Sequence, residues 1–417
     1  IVLMVSTITG LGVSRSGVRE VAQASGSGNI EKISGTVKTV QRIVFLLGVA
    51  GMVAMAVFAV PLSRLNFDNN EHALPIALLS GTVLVISMAG SRSAIVQGLG
   101  RIGDLAKLNL SAAAIGSVTT IILIALFREK GIVPSILSIY GANLLSAWWY
   151  ERKLNLPKSG THWKESLSET GPLIGLGLSI MNAALLSTLV AYAARTLISR
   201  DISLSSVGIY LCAFALSGKF VNIVIEAMWT DFYPRASSAA NDDATLNRLV
   251  NEQTEISLLL AVPGLLATIF FASVMIWIFY SNAFSEATSL IRWFTMGGLI
   301  GVISGPMKIV QLAKGKSLIR FLTETGCSTF HLILIFVLLK IFLLPGCAIA
   351  YVFHNIAQLF VSYMVAKHLS GFSWSSETIK LIFVLVSMAV LMFLLTFFLT
   401  ETQILISGVL GTMTVSI

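Results

Sequence analysis

Runs of about twenty apolar residues follow one another along almost the whole chain, and each has the length a helix needs to cross the hydrocarbon core of a bilayer. About thirteen such runs fit, at roughly 1–18, 40–62, 75–96, 108–127, 132–149, 171–194, 204–229, 251–279, 286–309, 319–341, 344–366, 379–399 and 402–417. A backbone in lipid must satisfy its own hydrogen bonds, so these runs are expected to be helices. A membrane barrel would need strict apolar/polar alternation, which they lack. Apolar residues make up 55% of the 417 positions and charged residues only 12%, a balance that excludes a soluble domain.

Lysine and arginine give the expected orientation. One set of alternate connections carries twenty of them, including Arg15, Arg92, Lys308 and Arg320, and the opposite set only six, so the first set is expected in the cytoplasm. Lys219 and Arg292 complete the 28 basic residues and fall within spans. The net charge of +8 follows from this asymmetry and calls for no nucleic-acid partner. The opposite connections are short and hold no domain. The longest inner connection is ERKLNLPKSGTHWKESLSET at 151–170, where Pro157 and Gly160 break helix.

The chain also repeats itself weakly. IVQGLGRIGDLAKL at 95–108 aligns with IVQLAKGKSLIRFL at 309–322, an offset of 214 residues, and the same shift brings SRLNF near YSNAF. Six spans separate equivalents, an even number, so the two halves are expected to share one orientation, with an axis along the membrane normal and a cleft between them.

The stretch from Val207 to Ser237 places Lys219 inside an apolar run, where a charge costs roughly 2.5–3.5 kcal/mol unless it faces the bundle interior or water. Lys219, Asn222, Glu226 and Thr230 recur at helical spacing and share a face, with a Lys219–Glu226 pair as the plain structural alternative. Arg292, flanked on its face by Thr288 and Thr295, either lines a cavity or snorkels. Arg320, Glu324, Ser328 and His331 form a second stripe, read as an Arg320–Glu324 pair with His331 as a titratable group. Tyr351, His354, Asn355, Gln358 and Ser362 give a third polar face, and Ser179 and Asn182 a fourth. GPLIGLGLS at 171–179 is either a hinge or a small-residue packing face.

Gly98, Gly100 and Gly103 spell G-x-G-x-x-G, but they follow a membrane span rather than a strand, so a cytoplasmic turn is expected there. Cys212, Cys327 and Cys347 read as small core residues, and no metal-ligand spacing accompanies them. No catalytic or nucleotide-hydrolysing motif is present, which disfavours an enzyme or an ATP-driven pump.

VGIYLCAFALSGKFVNIVIEAMWTDFYPRAS resembles the eighth-helix pattern of Wzx-type polysaccharide flippases of the multidrug/oligosaccharidyl-lipid/polysaccharide exporter superfamily, with Gly208, Tyr210, Ala213, Pro234 and Arg235 matching. LGVSRSGVREVAQASGSGN is similar to the exit of that family's second helix. The resemblance implies an all-α membrane protein of fourteen helices, with one expected upstream of Ile1. Its six-helix lobes would be 1–150 and 171–366, joined by the 151–170 linker and followed by two additional helices at 367–417. It implies a bacterial inner-membrane flippase that moves undecaprenyl-diphosphate-linked oligosaccharide, such as an O-antigen or other surface polysaccharide unit, by alternating access. Polymerase and other assembly proteins are the implied partners.

On this resemblance Lys219, Arg15, Arg92 and Arg292 would attract the diphosphate, and Asn182, Asn222 and Gln358 would solvate sugars. Glu226, Glu255, Glu324 and His331 are the coupling candidates. No cofactor is expected, and coupling to a proton or sodium gradient is left open. A cation-coupled multidrug or small-solute antiporter of the same superfamily is the alternative, and a membrane-embedded polymerase or acyltransferase a more distant one.

Overall fold

The computed structural model describes residues 5–6, 9–10, 12–67, 69–71, 73–154 and 170–398. The described chain is helical. In order it forms α1 (Val13–Gly26), α2 (Ile30–Val57), α3 (Ala59–Phe67), α4 (Ala73–Gly98), α5 (Ile102–Phe127), α6 (Ile132–Arg152), α7 (Thr170–Asp201) and α8 (Leu204–Ala227). A π-helical turn, Met228–Phe232, leads into α9 (Tyr233–Ser238), followed by α10 (Asp243–Phe270), α11 (Ala272–Phe279), α12 (Ala287–Ala313), α13 (Ser317–Phe342), α14 (Leu344–Ser370) and α15 (Ser376–Phe398).

Ten of these helices are long and apolar enough to cross a membrane, or eleven with the bent pair Leu204–Lys219 and Val221–Ser238 counted as one span. Eleven of the thirteen runs expected from hydropathy are matched in this way. Of the run at 1–18 the structure describes residues 5–6, 9–10 and 12–18, with α1 beginning at Val13, and 402–417 lies outside the described residues, as does 155–169 of the expected linker. The run at 204–229 is bent by 48° and passes into the π turn. Pro234 has no N–H to offer the carbonyl of Thr230, which explains why regular α-helix fails there.

The chain divides into two compact units, residues 1–181 with 233–239 and 315–318, and residues 182–232 with 240–314 and 319–417. The division falls inside α7. Each unit is built around one helix: α4 packs on α1, α2 and α6 in the first, and α12 on α8, α10 and α14 in the second. The 214-residue offset is visible in the elements themselves, since it carries α2, α3, α4, α5 and α6 onto α10, α11, α12, α13 and α14 within a few residues at each end. Even the caps repeat. Asn29 accepts from the Glu31 and Lys32 amides at the start of α2, and Asp242 accepts from the Thr245 amide at the start of α10.

In the first unit, α7 continues unbroken through GPLIGLGLS, and Ser16 Oγ donates to the Leu173 carbonyl at 2.9 Å. Gly12, at φ 63°, sits against the backbone of Gly177, so this segment is a small-residue packing face. Gly98 closes α4 against Val18 and Val21 of α1, and Gly100 at φ 70° makes the turn, which accounts for the glycine pattern without a nucleotide site. Cys212, Cys327 and Cys347 are free and buried.

In the second unit α12 is the most enclosed span, with 78% of its most apolar window buried against 17% for α13. Its glycines make this possible. A Cβ at Gly297 would lie 2.5 Å from the Tyr351 ring, one at Gly301 2.9 Å from Asn355 Oδ1, and one at Gly305 2.5 Å from Met228 Cε. The i, i+4, i+8 spacing makes one groove that receives α14 and the end of α8. Replacing Gly297 with valine is expected to lower the melting temperature of the purified protein by several degrees, an overpacking penalty of about 1–3 kcal/mol. Gly141→Val, where nothing lies within 4 Å of the added Cβ, is the control in the same thermal scan.

Candidate functional site

The basic residues singled out by sequence have different surroundings. Lys219 is exposed on α8 together with Asn222 and Glu226, on the side opposite Leu216, Val221 and Val224, which pack into the second unit. Among the described residues Lys219 takes part in no ion pair. Arg15 is exposed on α1. Arg92 on α4 is bound to Glu151 of α6 at 3.3 Å, and the same carboxylate accepts from Gln41 of α2, so three helices of the first unit are tied by one acid. Arg292 donates through Nε to the Ile269 carbonyl at 3.2 Å, closing the last turn of α10.

A denser polar group lies in the second unit between α12, α13 and α14. Arg320 of α13 is buried, with 7% of its surface exposed, and its Nη1 lies 2.8 Å from Glu324 Oε1 one turn on. Gln358 of α14 donates to the same oxygen at 3.3 Å. Lys308 of α12 is within electrostatic reach of both Glu324 and Arg320. Thr323 donates to Gln311 Oε1 at 3.2 Å, and His354 donates from Nδ1 to the Cys327 carbonyl at 3.2 Å. His331 stacks on His354 with centroids 4.4 Å apart and planes 15° from parallel. Asn182 donates to Thr325 Oγ1 on α13 at 3.1 Å.

The structure therefore brings Glu324, His331 and Gln358 together, with Asn182 meeting α13 beside them, and holds Lys219, Asn222 and Glu226 elsewhere on α8. Glu255 accepts from the Thr378 hydroxyl and so ties α10 to the start of α15. Lys308 and Arg320, counted with the inner connections by charge and lying at the inner ends of the 286–309 and 319–341 runs, fall within α12 and α13 near their ends. Lys308 is the residue that sequence reasoning missed. Its signal was present, because Ser304, Lys308 and Gln311 recur at four- and three-residue steps on α12.

The internal repeat shows that this polar group is not needed to fold a unit of this kind. The residues 214 positions before Lys308, Arg320, Glu324, Gln358 and His331 are Ala94, Ala106, Leu110, Leu144 and Ser117. Where α5 and α6 pack directly, through Ser111 to Ser146 at 3.1 Å and Thr119 to Ser138 at 3.1 Å, the later counterparts are Thr325, Phe360, Ile333 and Val352. Bulkier side chains replace small ones. Among the described residues α13 meets α7 and α14 through side chains rather than by close backbone approach, with Ile335 and Leu339 in the shared core and polar side chains spanning the gap towards Gln358 and His354. Glu324→Leu is expected to destabilise the protein by about 3–5 kcal/mol, because it leaves two cations without their acid. Thermal unfolding should show most of that loss recovered in the triple variant Lys308→Ala, Arg320→Ala, Glu324→Leu, which installs the residues of the first repeat.

A family model described as "Polysaccharide biosynthesis protein" matches residues 4–289. No curated protein sequence matches the chain. Solved structures do. A multidrug resistance MATE family transporter of the MOP superfamily in an outward-facing conformation aligns with a TM-score of 0.78 at 12% identity, over 89% of this chain and 87% of that one. A MOP superfamily transporter from Pyrococcus furiosus, whose binding pocket is described as having reverse polarity, aligns with a TM-score of 0.76 at 13% identity, over 88% and 86%. At such identities these likenesses show the fold alone.

Proposed function

Since the chain belongs to the polysaccharide biosynthesis protein family and is a multi-pass membrane protein with a MOP-superfamily transporter fold, we propose that it is a flippase for lipid-linked oligosaccharide. It transports and does not catalyse a covalent step. The substrate class in this reading is an undecaprenyl-diphosphate-linked glycan, an O-antigen or other surface polysaccharide unit, carried across a bacterial inner membrane by alternating access.

The observation that carries the reading is Lys219. An ammonium in the apolar part of a helix, turned away from that helix's packing face and paired with no acid, is tolerated where water or an anion reaches it. A diphosphate supplies such an anion, and Asn222 one turn away supplies an amide for sugar hydroxyls. Arg15, exposed on α1, is a second basic candidate for an anionic substrate. Arg92 and Arg292 already have partners in Glu151 and the Ile269 carbonyl, which assigns them first to holding helices together.

In a flippase-null strain carrying this protein, Lys219→Ala is expected to remove most surface glycan at unchanged protein level in the membrane, while Lys219→Arg retains at least half. Wild-type surface glycan in the alanine variant would overturn the role. Failure of the unaltered protein to restore any glycan, together with protection of the strain against cationic dyes, would favour the antiporter instead.

A further inference from the structure

We propose that the second unit carries a site for an anionic phospholipid of the surrounding bilayer, with its headgroup at Lys308 and Arg320 and an acyl chain in the groove between α13 and α14. The inference does not depend on the transport reading.

Charge is the first element. Arg320 is paired with Glu324, and Lys308 of the facing helix lies within electrostatic reach of both, so two basic side chains converge on one carboxylate. His331 and His354 face this group as a stacked pair, and two cationic imidazoles would repel at that spacing. Arg320 also has an unfilled valence. Its Nε is enclosed and has no hydrogen-bond partner, in a residue more than nine-tenths buried, and a buried guanidinium donor left open costs stability unless a ligand takes it.

Depth is the second. Arg320 is three residues into α13 and Lys308 five from the end of α12, so at 1.5 Å per residue they lie about 5 Å and 8 Å from the helix ends. Phosphate groups of a leaflet sit at that level. Basic pockets between spanning helices there recognise anionic headgroups.

The groove is the third. A cleft of about 410 Å³, lined by Thr323, Gly326, Cys327, Phe330, Ala357 and Val361, runs between α13 and α14 and is apolar along its length. Thr323 and Cys327 belong to both features: they line the cleft and are bonded to the polar group through Gln311 and His354. An ionic end and an apolar trough that share a wall match an anionic lipid. A small hydrated anion would leave the trough unused. The first unit has alanine and leucine at the equivalent charged positions and a closed α5–α6 contact where the trough would be, so the site belongs to the second unit alone.

Native mass spectrometry of the purified full chain, titrated with phosphatidylglycerol or with phosphatidylcholine of the same acyl chains, tests the proposal. Phosphatidylglycerol is expected to bind at least about fivefold more tightly than phosphatidylcholine, and Arg320→Gln should remove that preference. Gly326→Phe provides an arm that leaves every charge in place. A Cβ at Gly326 meets nothing within 4 Å, so the ring can enter the trough, and retention of phosphatidylglycerol should fall without loss of folded protein. Equal binding of the two lipids, or unchanged phosphatidylglycerol binding in Gly326→Phe, would overturn the site. Binding of a polyprenyl diphosphate that phosphatidylglycerol cannot displace would overturn the assignment to bilayer lipid and give the groove to the transported lipid.

Discussion

Close approach of α14 and α8 to the glycine face of α12 is the contact on which the second unit depends. Lipid tails are as apolar as leucine, so helices in a bilayer gain little by merely hiding apolar side chains from one another. What remains is dispersion at close range, and Gly297, Gly301 and Gly305 permit it by leaving room for Tyr351, Asn355 and Met228. Once α14 is seated there, Tyr351 joins Tyr210, Phe214 and Phe294 in an aromatic group with neighbouring centroids 5.4–6.1 Å apart. The same seating fixes His354 and Gln358 on the side that meets α13. The placement of the polar group is thus a consequence of glycine spacing on a helix that carries only one of its charges.

Much of this was legible from residues alone. Helical state, membrane location and the 214-residue repeat all follow from the period of the apolar runs, and the repeat predicts helix ends in the second unit from those in the first. The bend within the 204–229 span did not follow, because hydropathy measures composition and is blind to a proline-driven π turn such as Met228–Phe232. Lys308 stood at the end of the 286–309 run and was counted with the inner connection, whereas α12 continues five residues past it.

Pairing across helices is the property that sequence spacing cannot supply. Arg320 and Glu324 lie four apart on one helix, and their ion pair was readable. Arg92 and Glu151 are 59 positions apart and Arg292 and Ile269 are 23 apart, each pair in different helices, and nothing local distinguishes these arginines from Lys219 until the fold is known. The fold separates them by occupancy. Arginines whose donors reach a carboxylate or a terminal carbonyl join helices, and a lysine on the exposed side of α8 is left for something that is not part of its own unit's packing.

The duplication gives this distinction an internal control. Two units with the same order of helices and the same central-helix packing have been filled differently, one closed through serine and threonine between α5 and α6, the other with α13 and α14 bridged by polar side chains. A closed hairpin needs no polar filler, and its positions are alanine and leucine. An opened one must either admit lipid or bridge the gap, and Arg320, Glu324, Gln358 and His354 bridge it at a desolvation cost that the closed α5–α6 contact does not incur. Since the cheaper solution exists in the same chain, folding alone does not account for the charged one. The two basic side chains at one carboxylate and the open guanidinium therefore point to a ligand.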